Sequence, residues 1–266
     1  MRGFWPDERV EGGIWSLKNP VYRIIYRYFK RMERILLTQA DAIVTLTHSA
    51  AEQISDWNIP IRRPPMVIPC CVDTQAFPVV SRRSSISGSY LVYLGSLGTW
   101  YLLAEMMAFF KVYAAFVPGS KFLVLTRESP TLVIQEARRQ GIAATSVEVR
   151  SATREEMPGL LSGVALSVFF VKPGFSKKGS SATKLGELLS SGIPVVSNHG
   201  IGDQDKFFEQ HSIGALVQDF SEASYKAAIT KILNTEYSQE ALRQVAVELF
   251  DLEKGVVKYH TVYQAV

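Results

Sequence analysis

The stretch Ser176-Lys-Lys-Gly-Ser-Ser-Ala-Thr-Lys-Leu-Gly-Glu187, an apolar helix after it, and then Ser191-Gly-Ile-Pro-Val-Val-Ser-Asn198 decide how this chain is read. Leu185, Leu188 and Leu189 fall at helical spacing, Thr183 or Ser181 is placed to cap that helix, and the Gly-Ile-Pro turn leads into a buried strand. A helix that starts behind a serine-rich loop turns its free N–H groups and positive dipole end toward the loop, where a phosphate is stabilised. Lys177, Lys178 and Lys184 add mobile ammonium groups, and Glu187, about one turn into the helix, can accept hydrogen bonds from a ribose diol. The competing reading of these local features is a solvated Lys/Ser loop before an ordinary amphipathic helix, and only the surrounding chain decides between the two.

On both sides of that stretch, β-branched runs alternate with helical patterns. Tyr90–Leu94, Lys121–Leu125, Val147–Val149, Ala165–Phe170, Pro194–Val196 and Ala215–Val217 read as strands, with helices over about 99–115, 130–140 and 154–162 and a short one after Val196. Such alternation means right-handed βαβ units and a doubly wound parallel sheet. Upstream, Ala42–Thr47 and Met66–Pro69 read as strands around a helix at about 49–57, and Thr74–Ser89, rich in serine with Pro78, Arg82 and Arg83, reads as a linker. The expected organisation is a partial Rossmann-like domain over 1–75, a linker over 76–89, a complete one over 90–236, and an almost entirely helical segment over 237–266. Phe250, Val256, Val257, Tyr259 and Tyr263 are the tail residues expected either to cross back to the first domain or to cover the second sheet.

In a doubly wound sheet, ligands sit at the carboxyl ends of the strands. That rule gathers Gly95-Ser96-Leu97-Gly98, Thr126 and Arg127, Arg150–Ala152, Lys172–Ser181 and Asn198–Asp203 into one rim. Gly95 and Gly98 allow backbone N–H groups to approach a ligand closely.

The 266 residues carry 47% apolar and 20% charged side chains and a net charge of +4, which suits a globular protein of one large or two modest domains. No apolar run reaches the roughly 18 to 20 residues of a spanning helix, and Met1–Arg9 lacks an apolar core, so a cytoplasmic location is expected. Cys70 and Cys71 are adjacent and read as small packing residues, and the four histidines form no zinc pattern. Basic residues are not gathered on a nucleic-acid recognition motif. Tyr22–Leu37 interleaves aromatics, aliphatics and cations at helical spacing, as a helix covering a sheet would, or one resting on the inner face of an anionic membrane.

Five ordered matches carry a resemblance through nearly the whole chain: Arg2-Gly-Phe-Trp-Pro-Asp-Glu-Arg9, Ala40–Thr47, Val67–Asp73 with Phe77, Tyr93–Gly98, and Lys184–Glu187 through Gly192–Val196. On these the chain resembles the family-4 glycosyltransferases of the GT-B fold, α/β proteins whose two Rossmann-like domains face each other across a cleft. The resemblance implies a nucleoside diphosphate sugar bound by the carboxyl-terminal domain as donor substrate, with no further cofactor. It also implies an acceptor glycan or lipid-linked acceptor on the amino-terminal side, and transfer with retention and without a metal, as in polysaccharide or glycoconjugate synthesis. Glu187 then holds the donor ribose, Lys184 and the loop with Ser181 and Thr183 lie beside the diphosphate, Gly95, Ser96 and Gly98 approach it from the first strand, and Arg150 borders the base. Asp203, after Gly200-Ile-Gly202, is placed either at the surface with Asp205 or against the sugar hydroxyls; Asp7 and His48 are cleft candidates, His48 against an ordinary helix-cap position, and with Lys184 they are the expected catalytic residues.

The sequence departs from the family pattern at three places. Gly179 stands where many members have a second glutamate, eight positions before the ribose carboxylate. Gly98-Thr-Trp-Tyr101 replaces an Arg and a Lys that bind the diphosphate, a charge that Lys177 or Lys178 is expected to supply. The roughly 75 residues before the linker are fewer than the usual 100 or more of such a domain, which points to a truncated amino-terminal domain with uncovered apolar faces. An inactive fragment or a non-catalytic nucleotide-sugar binder is therefore the competing expectation. An NAD-type oxidoreductase is disfavoured because no Gly-x-Gly-x-x-Gly turn with a following ribose acid is evident.

Overall fold

The computed structural model describes residues 1–77, 79, 90–161 and 164–266, so most of the expected linker, at 78 and 80–89, lies outside the described residues. Residues 1–77 hold α1 (Trp5–Glu11), α2 (Pro20–Gln39), β1 (Val44–Thr45), α3 (His48–Asp56) and β2 (Met66–Val67). β1 and β2 pair in parallel, Val44 beside Met66 and Thr45 beside Val67. Asn19 Oδ1 accepts the Val21 N–H ahead of Pro20, and Thr47 Oγ1 accepts the Ala50 N–H, so α2 and α3 both start on side chains that satisfy otherwise orphaned donors.

The core of this unit is small. Leu37, Ile43 and Ile54 form its own buried cluster, with Met1, Ala40, Trp57, Ile59 and Ile61 packed around them, while Phe4, Ala50 and Ile68 are buried outside that cluster. α2 covers little: Leu37 is its one fully buried residue, whereas Ile24 is 67% and Tyr28 58% exposed. The inward apolar stripe expected of a sheet-covering helix is not formed, because two strands of two residues each present too narrow a surface.

The second unit contains β3 (Tyr90–Leu94), α4 (Leu103–Phe116), β4 (Lys121–Leu125), α5 (Pro130–Arg139), β5 (Val147–Arg150), α6 (Met157–Leu161), β6 (Val164–Val168), α7 (Thr183–Ser190), β7 (Val195–Asn198), α8 (Gln204–Gln210), β8 (Gly214–Val217) and α9 (Glu222–Leu233). Its six strands are all parallel, in the order β5-β4-β3-β6-β7-β8. Leu91, Val92, Tyr93, Phe122, Val124, Val168, Val195 and Val196 are buried, as strands covered by helices on both faces require. This is the expected doubly wound α/β sheet. The strand order changes direction between β3 and β6, which places the topological crevice beside Gly95.

The tail is almost entirely helical, as expected, and consists of two helices, α10 (Gln239–Phe250) and α11 (Leu252–Gln264). Asp251 breaks it: its backbone is extended, one carboxylate oxygen accepts the Lys254 N–H to start α11, and the other accepts the Thr74 hydroxyl at 2.8 Å. Around this break the chain meets residues 71–74. The Val72 N–H donates to Phe250 O at 2.7 Å, the Leu252 N–H donates to Val72 O at 3.0 Å, and a Cβ on Gly255 would come within 2.4 Å of Cys71 Sγ. Val256, Val257, Tyr259 and Tyr263 remain exposed, so this contact does not pass through them. Among the described residues no helix is long and apolar enough to cross a membrane.

Candidate functional site

A cleft of about 750 Å³ opens at the carboxyl end of the sheet. Gly95 and Ser96 after β3, Thr126–Glu128 after β4, Ala152–Arg154 after β5, Thr183 and Glu187 of α7, and Cys71–Asp73, Phe77 and Leu252 line it. That volume falls within the range of sites that enclose a medium-sized organic ligand.

No side chain caps α7. Ala182 occupies the capping position, and Ser181 Oγ accepts the Cys70 N–H at 3.1 Å, so the capping role expected for Thr183 or Ser181 is not taken. Lys184, expected to be mobile, is buried. Its Nζ donates to Tyr93 Oη at 3.1 Å and lies 3.5 Å from the centre of the Tyr101 ring, a cation held over an aromatic face. A Cβ on Gly95 would sit 2.8 Å from that Nζ, and the Gly95 φ of +122° is itself one that side-chain-bearing residues rarely adopt. Burial pushes the Lys184 ammonium down to about 7, against the pull of Glu187 and Glu128. Burial likewise raises the Glu187 carboxyl, while Lys184 and Arg154 draw it back.

Two further carboxylates stand at the cleft. Glu128 accepts the Thr126 hydroxyl, and this bond, with backbone N–H groups of Leu97 and Glu128 itself, holds its carboxyl below the usual range despite partial burial. A negative charge therefore sits at the Gly95–Gly98 turn, beside the position read as a diphosphate contact. Asp73 Oδ2 lies 3.7 Å from Arg154 Nη2.

The expected donor residues are only partly brought together. Gly95, Ser96, Thr183 and Glu187 line the cleft with Lys184 behind Gly95, whereas Gly98 and Arg150 do not line it. Arg150 Nε turns back to Glu148 at 2.5 Å. Lys177 is buried, with Nζ 2.9 Å from Glu8 Oε1 and 3.5 Å over the Trp100 ring. Lys178 Nζ donates to Gln53 Oε1 at 2.8 Å and lines a separate concavity with Gly202. Neither lysine supplies charge to the cleft, because each is drawn to residues 1–77.

Asp203 is neither a surface residue nor a wall of the cleft. Its carboxylate accepts the His48 N–H at 2.6 Å and the Ser49 N–H and hydroxyl at 2.9 and 2.8 Å, so it is buried as the acidic cap of α3. His48, exposed at the start of α3, lines a second cavity of about 120 Å³ with Ser181 and Asp203. Asp7 accepts the Tyr26 hydroxyl at 2.7 Å and the Lys30 ammonium at 2.8 Å, tying α1 to α2. No hydrogen bond or ion pair joins any two of Asp7, His48 and Lys184 among the described residues. Asp205 turns to His199 and the Gly200 N–H, and no group of three or more His, Cys, Asp or Glu side chains placed to hold a metal occurs among the described residues.

The loop after β6 is occupied by α1. Glu11 accepts the Phe175 N–H at 2.7 Å and the Ser176 N–H and hydroxyl at 3.0 and 2.5 Å, and Phe4 is buried against Phe175 and Trp57. Gly179 packs on Gly3 so tightly that a Cβ would lie 2.8 Å from its Cα.

Glu128, Arg154 and the charge of Asp73 were not assigned to the site from sequence. Glu128 and Arg154 stand one and two residues beyond rim turns that were recognised, so extending each turn by half a helical turn would have found them.

Solved structures place this architecture. Sucrose-phosphate synthase from Thermosynechococcus elongatus matches it with a TM-score of 0.67 at 15% identity, over 87% of this chain and 60% of its own. The fold is that of the GT-B glycosyltransferases. HepE of Anabaena, solved with UDP and glucose, matches with a TM-score of 0.67 at 13% identity, over 89% of this chain and 66% of its own. The pneumococcal O-GlcNAc transferase GtfA, solved with UDP and GlcNAc, gives 0.65 at 14% identity, over 87% and 47%. The chain thus spans 60% of the length of the synthase it matches. No family model matches the chain, and no curated protein matches it in sequence.

Proposed function

We propose that the cleft binds a nucleoside diphosphate sugar and that the chain serves a retaining, metal-independent hexosyl transfer to a glycan or lipid-linked acceptor in polysaccharide or glycoconjugate synthesis. The observation that carries this reading is that Glu187 and Thr183 share with Gly95 and Ser96 the lining of a cleft of about 750 Å³ at the crevice of a GT-B sheet. Glu187 accepts from the ribose diol, and the diphosphate lies at the start of α7, where no side chain competes for the first N–H groups. As the glycosyl bond breaks, charge grows on the leaving diphosphate, and the helix end and a protonated Lys184 behind Gly95 stabilise it. Residues 90–236 form the donor domain and residues 1–75 the acceptor side.

A second reading, a nucleotide-sugar binder that does not turn over, is favoured by Gly179. Its packing against Gly3 leaves no room there for a second carboxylate. Incubating the chain with a panel of nucleotide sugars, following both binding and release of nucleotide, separates the two. Binding with turnover that Glu187→Ala removes supports transfer; binding alone supports the second reading; no binding rejects both.

The exposed face of α2 supports contact with the inner face of an anionic membrane. Val21, Ile24 and Tyr28 are exposed beside Arg23, Arg27 and Arg31, which make no ion pair among the described residues.

A further inference from the structure

If the cleft holds a nucleoside diphosphate, its charge needs cations beyond the single buried ammonium of Lys184 behind Gly95, and the other two expected lysines do not supply them. Lys177 is held by Glu8 and Lys178 by Gln53, outside the cleft. Around the cleft, the carboxylates of Asp73, Glu128 and Glu187 outnumber the guanidinium groups of Arg127 and Arg154. A free guanidinium at the cleft is the further cation that a diphosphate can meet there. Of the two arginines, Arg154 is the one that spans the cleft lining to Asp73 and whose charge also acts on Glu187.

We infer that Arg154 pairs with the diphosphate of the donor, and that Asp73 holds Arg154 across the cleft mouth until the donor displaces it. This rests on the reading of the cleft as a nucleotide-sugar site. Arg154 and Glu187 line the same cleft, and the guanidinium charge favours the ionised form of Glu187, so a ligand whose ribose is held by Glu187 brings its diphosphate into the field of Arg154. Its partner is weak: the pair spans 3.7 Å, with side chains 62% and 43% exposed, a separation and exposure at which water screens most of the attraction. A phosphate offers the same guanidinium two parallel charge-assisted bonds, which an exposed single contact to a carboxylate does not.

Asp73 is built to let go without collapsing. Its Oδ1 accepts the Gln75 and Ala76 N–H groups at 3.2 and 3.1 Å, so the turn fixes that oxygen and leaves Oδ2 for Arg154. Because Asp73 belongs to the segment that meets the tail at Val72, exchange of Arg154 from Asp73 to phosphate removes the ion pair between that segment and the turn after β5. Arg154 is therefore a binding residue, and Asp73 a competitor supplied by the chain itself.

The test is calorimetric titration of the full chain with UDP, GDP, ADP and dTDP and with the matching nucleosides. For the diphosphate bound best, Arg154→Ala is expected to weaken binding roughly tenfold to a hundredfold while leaving the nucleoside within about twofold. Asp73→Asn keeps the Oδ1 acceptor and is expected to tighten the diphosphate about two- to fivefold. Arg139→Ala, which removes the same charge from a pair with Glu136 on α5, is expected to change neither. Equal diphosphate affinity in the wild type and Arg154→Ala, or parallel loss of diphosphate and nucleoside, overturns the inference and leaves the cleft reading standing. If the wild-type chain binds none of the diphosphates, the cleft reading fails and takes the inference with it.

Discussion

Three residues set what the cleft can do. Lys184 sits under Gly95 with its ammonium pushed down to about 7 from an ordinary 10.5, so near neutral pH it exchanges its proton where a diphosphate would lie. Between those two values the unfolded chain holds a proton that the folded chain lacks, so the Lys184 contribution to stability rises with pH across that window. Ligand binding runs the other way: a diphosphate prefers the protonated form, so affinity should fall from pH 7 to 9, by at most about tenfold per unit, and Lys184→Met should flatten the profile in the same titrations. Gly179 marks a steric limit. Gly179→Glu, which restores the carboxylate of the family pattern, must push Gly3 away, and a loss of about 1–3 kcal/mol in thermal or urea denaturation is expected. Glu187 was legible because its helix and the Gly-Ile-Pro turn stand together in the sequence. Arg154 and Glu128 were not, since turns aim side chains by tertiary contacts that no periodicity records.

The helices differ in how they are tied. α3 begins on Thr47 and on Asp203, a carboxylate from the loop after β7 that accepts its first N–H groups. Asp203→Ala should cost about 1–2 kcal/mol, visible in chemical denaturation, whereas Asp205→Ala, whose carboxylate meets only His199 and Gly200, should cost less. α2 is tied along one side only and exposes Val21, Ile24 and Tyr28 beside arginines. It should carry the chain onto vesicles rich in phosphatidylglycerol and not onto phosphatidylcholine, and Arg27→Glu with Arg31→Glu should release it; equal sedimentation with both lipids would reject an electrostatic contact. The six strands of the second sheet were legible because each is a short run with valine, leucine or aromatic residues between helical patterns, and all but β5 are buried along nearly their whole length. The break at Asp251 was missed because an aspartate inside a helical pattern looks like any surface residue until its carboxylate is seen capping the next helix.

At the scale of the molecule, residues 1–77 lean on the second unit more than on themselves. Their own buried cluster is three side chains, while Glu11, Glu8, Thr47, Gln53 and Ser49 reach the loops after β6 and β7, and Val72 and Thr74 reach the tail. The large core around Phe109, Phe122, Phe170 and Tyr225 belongs to the six-stranded sheet. Amides of β3, β4, β6 and β7 should therefore exchange with solvent slowest, and those of α1 to α3 together and earlier; uniform protection across the chain would contradict this division. The sheet brings the ends of β3, β4 and β5 and the start of α7 to one cleft, and the central claim is that Glu187 there holds a ribose diol. The direct measurement compares a ribonucleoside diphosphate with its 2′,3′-dideoxy analogue by calorimetry in the wild type and in Glu187→Ala. A preference of roughly tenfold or more for the ribonucleotide in the wild type, erased in the variant, is the predicted result. An equal preference in both proteins, or no nucleotide binding by either, would contradict it.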